Sequence, residues 1–189
     1  MDALGKLFGS PARLKLLRAF IFSPGAALSA ESLAARLALP GEKLRAELAA
    51  LAGIGLVRKS GAGAKARYAL DRRYPHLAAL DRFIRETTAA EPADLKRALR
   101  QAGSPEVVVL SGFFTGLSES SVDLLVVGDA LKERALARAV RGIEAELGRE
   151  IRYAVLSGSD FRYRHGVYDR LLRDIFDYPH RVIVDRIGL

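Results

Sequence analysis

Residues 111–128 contain the side chains best suited to chemistry on a phosphorylated substrate. The stretch reads Ser-Gly-Phe-Phe-Thr-Gly-Leu-Ser-Glu-Ser-Ser-Val-Asp-Leu-Leu-Val-Val-Gly. Small residues in a turn after a strand let backbone N–H groups approach a phosphate, and carboxylates at alternate positions of the next strand hold divalent ions. Asp123 is such a carboxylate, but position 121 is Ser and the bulky pair Phe113-Phe114 occupies the turn. Both halves of the site are therefore incomplete.

This stretch resembles the active site of nucleotidyltransferases, which opens with Gly-Ser in a phosphate-binding turn and continues with Asp-x-Asp on the next strand. Here Phe113 follows Gly112, Ser121 stands at the first Asp of the pair, and Asp123 remains. The resemblance implies a catalytically degenerate nucleotidyltransferase-like domain, with Asp123 as its remnant. We expect no catalytic residue, no bound metal and no cofactor.

Other acids do not complete the pair. Glu119 has the same parity as Asp123, but four residues of extended strand separate the two by about 13 Å. The later strand at 151–156 contains no acid, and Arg152 within it would repel a cation. An active nucleotidyltransferase, or an antitoxin-like protein that modifies a protein or RNA, is kept as the alternative function.

The first part of the chain has three helical patterns followed by a hairpin. Residues 11–22 predict the first helix, Ser29 caps the second, and the third begins at Pro40-Gly41 with the apolar stripe Leu44, Leu48 and Leu51. Two short strands then flank a glycine-rich tip at 60–64. Four cations are expected on the arms of this hairpin: Arg58, Lys59, Lys65 and Arg67.

The order resembles the winged helix-turn-helix of bacterial and archaeal regulators related to the ArsR group, over about residues 5–72. The resemblance implies that the third helix enters the DNA major groove, and by position its readers are Glu42, Lys43, Arg45 and Ala46. The hairpin cations would contact phosphate or the minor groove. Glu42 and Glu47, both expected on the outer face, oppose DNA binding unless they are paired. A winged helix that makes only protein contacts stays open.

Charge is divided unevenly along the chain. Residues 1–90 have 15 Lys and Arg against 7 Asp and Glu, whereas residues 91–189 have 15 of each. The whole net charge of +8 is therefore in the first half. A basic excess confined to one domain is typical of nucleic-acid binders, although a merely basic soluble surface gives the same count.

The second half alternates strands and helices. Strands are predicted at 107–110, 122–127, 151–156 and 181–184, and helices at 131–147 and 167–176. The overall prediction is an α+β or α/β chain with a winged helix-turn-helix at 1–72, connecting helices at 73–102, and a nucleotidyltransferase-like α/β domain with a small mixed sheet at 103–189.

Residues 149–165 resemble the corresponding segment of archaeal and bacterial proteins that fuse a winged helix to this degenerate domain. Phe161, Arg162, Tyr163 and Arg164 alternate aromatic and basic side chains, which fits either base stacking or core aromatics between solvated arginines; the latter is preferred. The histidines at 76, 165 and 180 lack zinc-ligand spacing.

Composition indicates the compartment. The chain has no cysteine, which fits a reducing cytoplasm, and neither a signal peptide nor an apolar run near 20 residues is expected. The sequence predicts a cytoplasmic, DNA-binding transcriptional regulator with no membrane association. Its partners are double-stranded DNA and a second copy of the chain, with half-sites about 34 Å apart; the second domain would serve dimerisation, ligand sensing or partner contact.

Overall fold

The computed structural model describes residues 3–88, 92–116 and 120–189, which form a mixed α+β structure with two small sheets. The chain divides into two compact units. The first is Met1–Ala89 with Glu144–Arg149, and the second is Ala90–Ile143 with Glu150–Leu189. The predicted α+β class is confirmed.

The first unit combines helices with a short antiparallel sheet of order β1-β3-β2. Its helices are α1 (Ala3–Leu7), α2 (Pro11–Ile21), α3 (Ala30–Leu37), α4 (Gly41–Gly53) and α5 (Leu77–Thr87). Its strands are β1 (Leu28–Ser29), β2 (Val57–Ser60) and β3 (Arg67–Leu70). Sequence periodicity did not predict α1 and β1, because elements this short do not complete a readable pattern.

Local signals explain where these helices begin and end. Ser10 and Ser29 are the N-caps of α2 and α3, and their hydroxyls accept backbone N–H groups three residues on, at 3.4 and 3.0 Å. Ala38 adopts a left-handed conformation with φ of 50° and ends α3. Pro40 then precedes α4, so three residues separate the two helices.

A single apolar core lies under these elements. Leu44, Leu48 and Leu51 of α4 are at most 2% exposed, as the stripe predicted, and they pack with Leu33 and Leu37 of α3. Helix α5 adds Ile84 to the same core. The stripe therefore determines which side of α4 remains exposed.

Glu47 is not on the outer face of α4, and the prediction that placed it there was wrong. Its side chain is 10% exposed, and its Oε2 lies 2.8 Å from Nε of Arg13 on α2. Glu47 directly precedes Leu48, so its side chain lies at the edge of the apolar stripe and is covered by α2. Pairing with Arg13 compensates the charge that this burial would otherwise leave alone in a low dielectric.

The second unit is built on a four-stranded sheet of order β6-β5-β4-β7. Its strands are β4 (Val107–Leu110), β5 (Leu124–Val127), β6 (Tyr153–Leu156) and β7 (Arg181–Asp185). Its helices are α6 (Pro92–Arg100), α8 (Gly158–Gly166), α9 (Arg170–Phe176) and most of α7 (Glu133–Leu147), whose residues from Glu144 onward belong to the first unit. Strand β5 pairs antiparallel with β4 and parallel with β6, so the small mixed sheet is present.

One helix of this unit differs from the prediction. The segment predicted as helix at 167–176 begins at Arg170, because Tyr168 has φ of 54° and Asp169 caps the new helix by accepting the backbone N–H of Leu171 at 3.0 Å. Helix α8, before that break, was not predicted. Phe161 of α8 joins the core over one face of β4 and β5.

We predict that Glu47→Ala lowers the free energy of unfolding by about 1–2 kcal/mol, because it leaves the Arg13 guanidinium without its carboxylate. Glu42→Ala is the control on the same helix: Glu42 is exposed in the first turn, where its carboxylate favours the helix dipole by about 0.3–1 kcal/mol, so a larger loss in Glu47→Ala is assigned to the pair with Arg13. Urea unfolding of the two variants measures the difference. A loss in Glu47→Ala no larger than the loss in Glu42→Ala would contradict a stabilising pair between Arg13 and Glu47.

Candidate nucleic-acid interface and the Asp123 turn

The first two turns of α4 present an outer face to solvent. The exposed residues there include all four predicted readers: Glu42, Lys43, Arg45 and Ala46. The guanidinium of Arg45 lies near Gly41, because a methyl group added at Gly41 would be 3.7 Å from a guanidinium nitrogen of Arg45. Because Glu47 is buried, Glu42 is the acid that remains exposed in the first two turns of α4.

The hairpin after α4 places its cations at different positions. In the register of β2 and β3, Arg58 faces Ala69 and Arg67 faces Ser60. Alternate residues share a face, so Arg58 and Arg67 lie together on the side opposite the buried Val57 and Leu70.

Lys59 and Lys65 are also exposed but differ in placement from the other two cations. Lys59 is the cross-strand neighbour of the buried Tyr68, so it lies on the same face of the hairpin as Val57 and Leu70 and not on the face of Arg58 and Arg67. Lys65 belongs to a short 3₁₀ turn, Gly63–Lys65, at the tip, so its predicted position on an arm was wrong. The glycine-rich tip is longer than expected because this turn completes it.

One hairpin cation is partly neutralised. Nε of Arg58 lies 3.7 Å from Oδ2 of Asp71, which follows β3. The pKa of Asp71 is lowered from its ordinary 3.8, chiefly because its carboxylate accepts the backbone N–H of Arg73, with the charges of Arg58 and Arg73 adding to the effect. Asp71 therefore stays ionised beside Arg58 at neutral pH.

Asp123 lies immediately before β5, and its side chain is fully buried. Oδ1 accepts the backbone N–H of Phe113 at 2.9 Å and a guanidinium N–H of Arg152 at 2.9 Å. Oδ2 accepts the backbone N–H and the Nε–H of Arg152 at 3.0 and 3.1 Å. Four N–H donors thus surround the two carboxylate oxygens.

The register of the sheet explains this pairing. Leu124 and Tyr153 are partners in the parallel pair of β5 and β6, so the residues before them, Asp123 and Arg152, lie side by side. Arg152 was expected to repel a cation, but its ion pair with Asp123 was not predicted. The available signal was an opposite charge at the same position before two successive strands.

Burial and hydrogen bonding oppose each other at Asp123. Burial raises the pKa of Asp123, but the hydrogen bonds from Arg152 and from the backbone of Phe113, with the charge of Arg152, outweigh it and hold the pKa below 3.8. The hydrogen bond to Asp123 raises the pKa of Arg152 from its ordinary value. The pair is therefore ionised at neutral pH.

The turn after β4 is closed against Asp123. Gly112 has φ of 50°, and a methyl group there would stand 2.4 Å from Oδ1 of Asp123, so only glycine fits. Gly112–Thr115 forms a 3₁₀ turn that carries the Phe113 and Phe114 rings, and the hydroxyl of Ser111 donates to the carbonyl of Val122 at 2.6 Å. The Phe113 amide is thereby turned toward the carboxylate.

These residues do not fit a divalent ion. Asp123 is already saturated by nitrogen donors, and Ser121 donates its hydroxyl to Asp174 at 3.1 Å. Among the residues that the structure describes, no three His, Cys, Asp or Glu side chains converge on one point. Glu119 lies outside the described residues.

The aromatic and basic residues of α8 separate by exposure. Phe161 is 2% exposed, whereas Tyr163 is 72% exposed, so the prediction of core aromatics holds for the first and was wrong for the second. His165 stacks on Phe161 at 5.8 Å and meets Phe176 edge-on, and the ring of His180 lies 5.1 Å from that of Phe176, also edge-on. These two histidines pack as aromatic rings.

Comparison of the chain with protein-family models, with curated proteins and with solved structures gives no match in any of the three. Across the described part of the chain, none of the helices combines the length and the hydropathy that a membrane crossing requires.

We predict that Asp123→Asn destabilises the protein by about 2–3 kcal/mol at pH 7, because the Arg152 guanidinium loses its counter-charge. A lowered pKa means that the carboxylate stabilises the fold above its ordinary pKa and that this contribution is lost as the pH falls through the lower folded value. The difference between wild type and variant should therefore shrink below about pH 3.8.

Urea unfolding at pH 7 and at successively lower pH measures this difference. Asp94→Asn is the control, because Asp94 is exposed on α6 and its charge pairs only with the exposed Arg97 in the described structure. A destabilisation by Asp123→Asn that is independent of pH would rule out the charged pair as its cause.

Proposed function

We propose that the protein is a DNA-binding transcriptional regulator whose first unit is a winged helix-turn-helix. The observation that carries the proposal is the exposed outer face of α4, with Lys43 and Arg45, directly followed in the chain by a hairpin with four exposed cations. The burial of Glu47 against Arg13 supports it further, because one of the two acids that opposed phosphate binding is withdrawn from the surface.

The arrangement of elements also supports this proposal. A helix, a three-residue connection at 38–40 and a second helix have the spacing of a helix-turn-helix, and a hairpin follows. In that role α4 would enter the major groove, with Arg45 as the best-placed reader of a guanine edge. Arg58, Lys59, Lys65 and Arg67 would contact phosphates and position the protein.

We further propose that the second unit is a nucleotidyltransferase-like domain without that activity. The saturation of Asp123 by Arg152 and by Phe113 supports this, because an ion would have to displace the Arg152 guanidinium and a backbone N–H from a buried carboxylate. The domain would then serve dimerisation, ligand sensing or partner contact. A homodimer would present two recognition helices to an inverted repeat, one helical turn apart.

The proposal predicts salt-dependent binding to duplex DNA that depends on the hairpin. Each phosphate contact releases counterions, so the combined change Arg58→Ala and Lys65→Ala should reduce the slope of log affinity against log salt by about two. Fluorescence anisotropy with a labelled random duplex at rising salt measures the slope.

A matched control separates the hairpin from net charge. Arg82→Ala with Arg97→Ala removes two exposed cations from helices α5 and α6 and changes the net charge equally. This variant should keep the wild-type slope. Undetectable binding at low salt, or equal slopes for the two double variants, contradicts the proposed interface.

The degenerate second unit predicts no nucleotidyl transfer. Incubation with labelled nucleoside triphosphates and Mg²⁺ or Mn²⁺ should leave protein and RNA unlabelled, because the carboxylates for two ions are missing. Ser121→Ala should behave as the wild type does. Nucleotidyl transfer by the wild-type protein that requires the divalent ion would establish the alternative, an active transferase.

A further inference from the structure

A pocket of about 680 Å³ opens in the second unit between α6, the start of β4 and the end of β7. Its apolar floor is formed by Ile183, which is 7% exposed, and the half-buried Val184, whereas Leu99 and Val108 also line it but are at most 1% exposed. It lies beside the first half of β4, whereas the Asp123 turn follows the last residue of that strand, so the two sites are at opposite ends of β4. The volume is within the range of small-molecule sites, about 300–1,000 Å³.

Three cations line this pocket. Lys96 and Arg100 are four residues apart and therefore lie on the same side of α6, and Arg186 follows β7. A guanidinium N–H of Arg186 donates to the hydroxyl of Ser104 at 3.1 Å, which holds that side chain at the wall. Within residues 92–116 and the other described segments, neither the Lys96 ammonium nor the Arg100 guanidinium has a hydrogen bond or ion pair.

The acid in the lining, Asp185, does not neutralise these cations. Its carboxylate accepts the backbone N–H groups of Ile187, Gly188 and Leu189 at 3.1, 2.9 and 3.1 Å. The hydrogen bonds from Gly188 and Leu189 lead the causes that lower the pKa of Asp185. The oxygens of Asp185 are thus engaged in the turn after β7, and with three cations against one acid the lining keeps a net positive charge over its apolar floor.

We propose that this pocket binds a small organic anion, with an apolar or aromatic body against Ile183 and Val184 and a carboxylate, sulfonate or phosphate group on Lys96, Arg100 and Arg186. A charged group alone would leave the floor in contact with water, and an apolar molecule alone would desolvate two unpaired cations. The site is independent of DNA binding, since every residue in it belongs to the second unit.

The test is a fluorescence titration of the full chain with 8-anilinonaphthalene-1-sulfonate, an aromatic body with one sulfonate. We expect saturable binding with one molecule per chain. Lys96→Ala with Arg100→Ala should weaken it at least about tenfold, because charge-assisted hydrogen bonds are lost. Arg97→Ala with Lys132→Ala removes the same two residue types outside the lining and should leave the affinity unchanged.

Competition tests the apolar floor. Inorganic phosphate should displace the probe only weakly, whereas a nucleoside monophosphate, with an aromatic base and a phosphate, should displace it at much lower concentration. Absence of saturable binding, equal weakening in both double variants, or equally effective displacement by inorganic phosphate would each overturn the proposal. Because DNA is absent from the titration, its failure leaves the proposed DNA interface unaffected.

Discussion

The buried carboxylate of Asp123 is the constraint on which the second unit depends. A buried carboxylate is stable only when its lone pairs are occupied, and here the turn after β4 and the residue before β6 supply the donors. This requirement explains why Gly112 has no side chain, why the Phe113 amide faces inward, and why Arg152 stands beside Asp123. The carboxylate that would be needed to hold a metal ion is instead used to link the ends of β4, β5 and β6.

A second ion pair has the opposite effect on the surface of the first unit. Glu47 lies against Arg13 and is withdrawn from the outer face of α4, so the exposed charges that remain on α4 and the hairpin are mostly cationic. In each unit an arginine thus forms an ion pair with a buried carboxylate. In the first unit the result favours a polyanion, and in the second it disfavours a metal ion.

Patterns within one element were readable from the sequence. The stripe Leu44, Leu48 and Leu51 predicted the buried side of α4, and Ser29 predicted the start of α3. The β-branched run at 107–110 predicted β4 with its observed bounds. Helix α8 was missed because only Phe161 among its aromatic residues is buried, so no apolar stripe marks it.

By itself the sequence determined the order of the elements other than α1, β1 and α8, the division of charge between the two halves and the lack of a second carboxylate at position 121. These depend on residue type and on neighbours along the chain. The tertiary structure alone decided the burial of Glu47, the pairing of Asp123 with Arg152 and the meeting of Lys96 and Arg100 with Arg186 at one pocket. Each joins residues 29 or more positions apart, and only strand register and helix packing bring such residues within reach of a hydrogen bond or a common ligand.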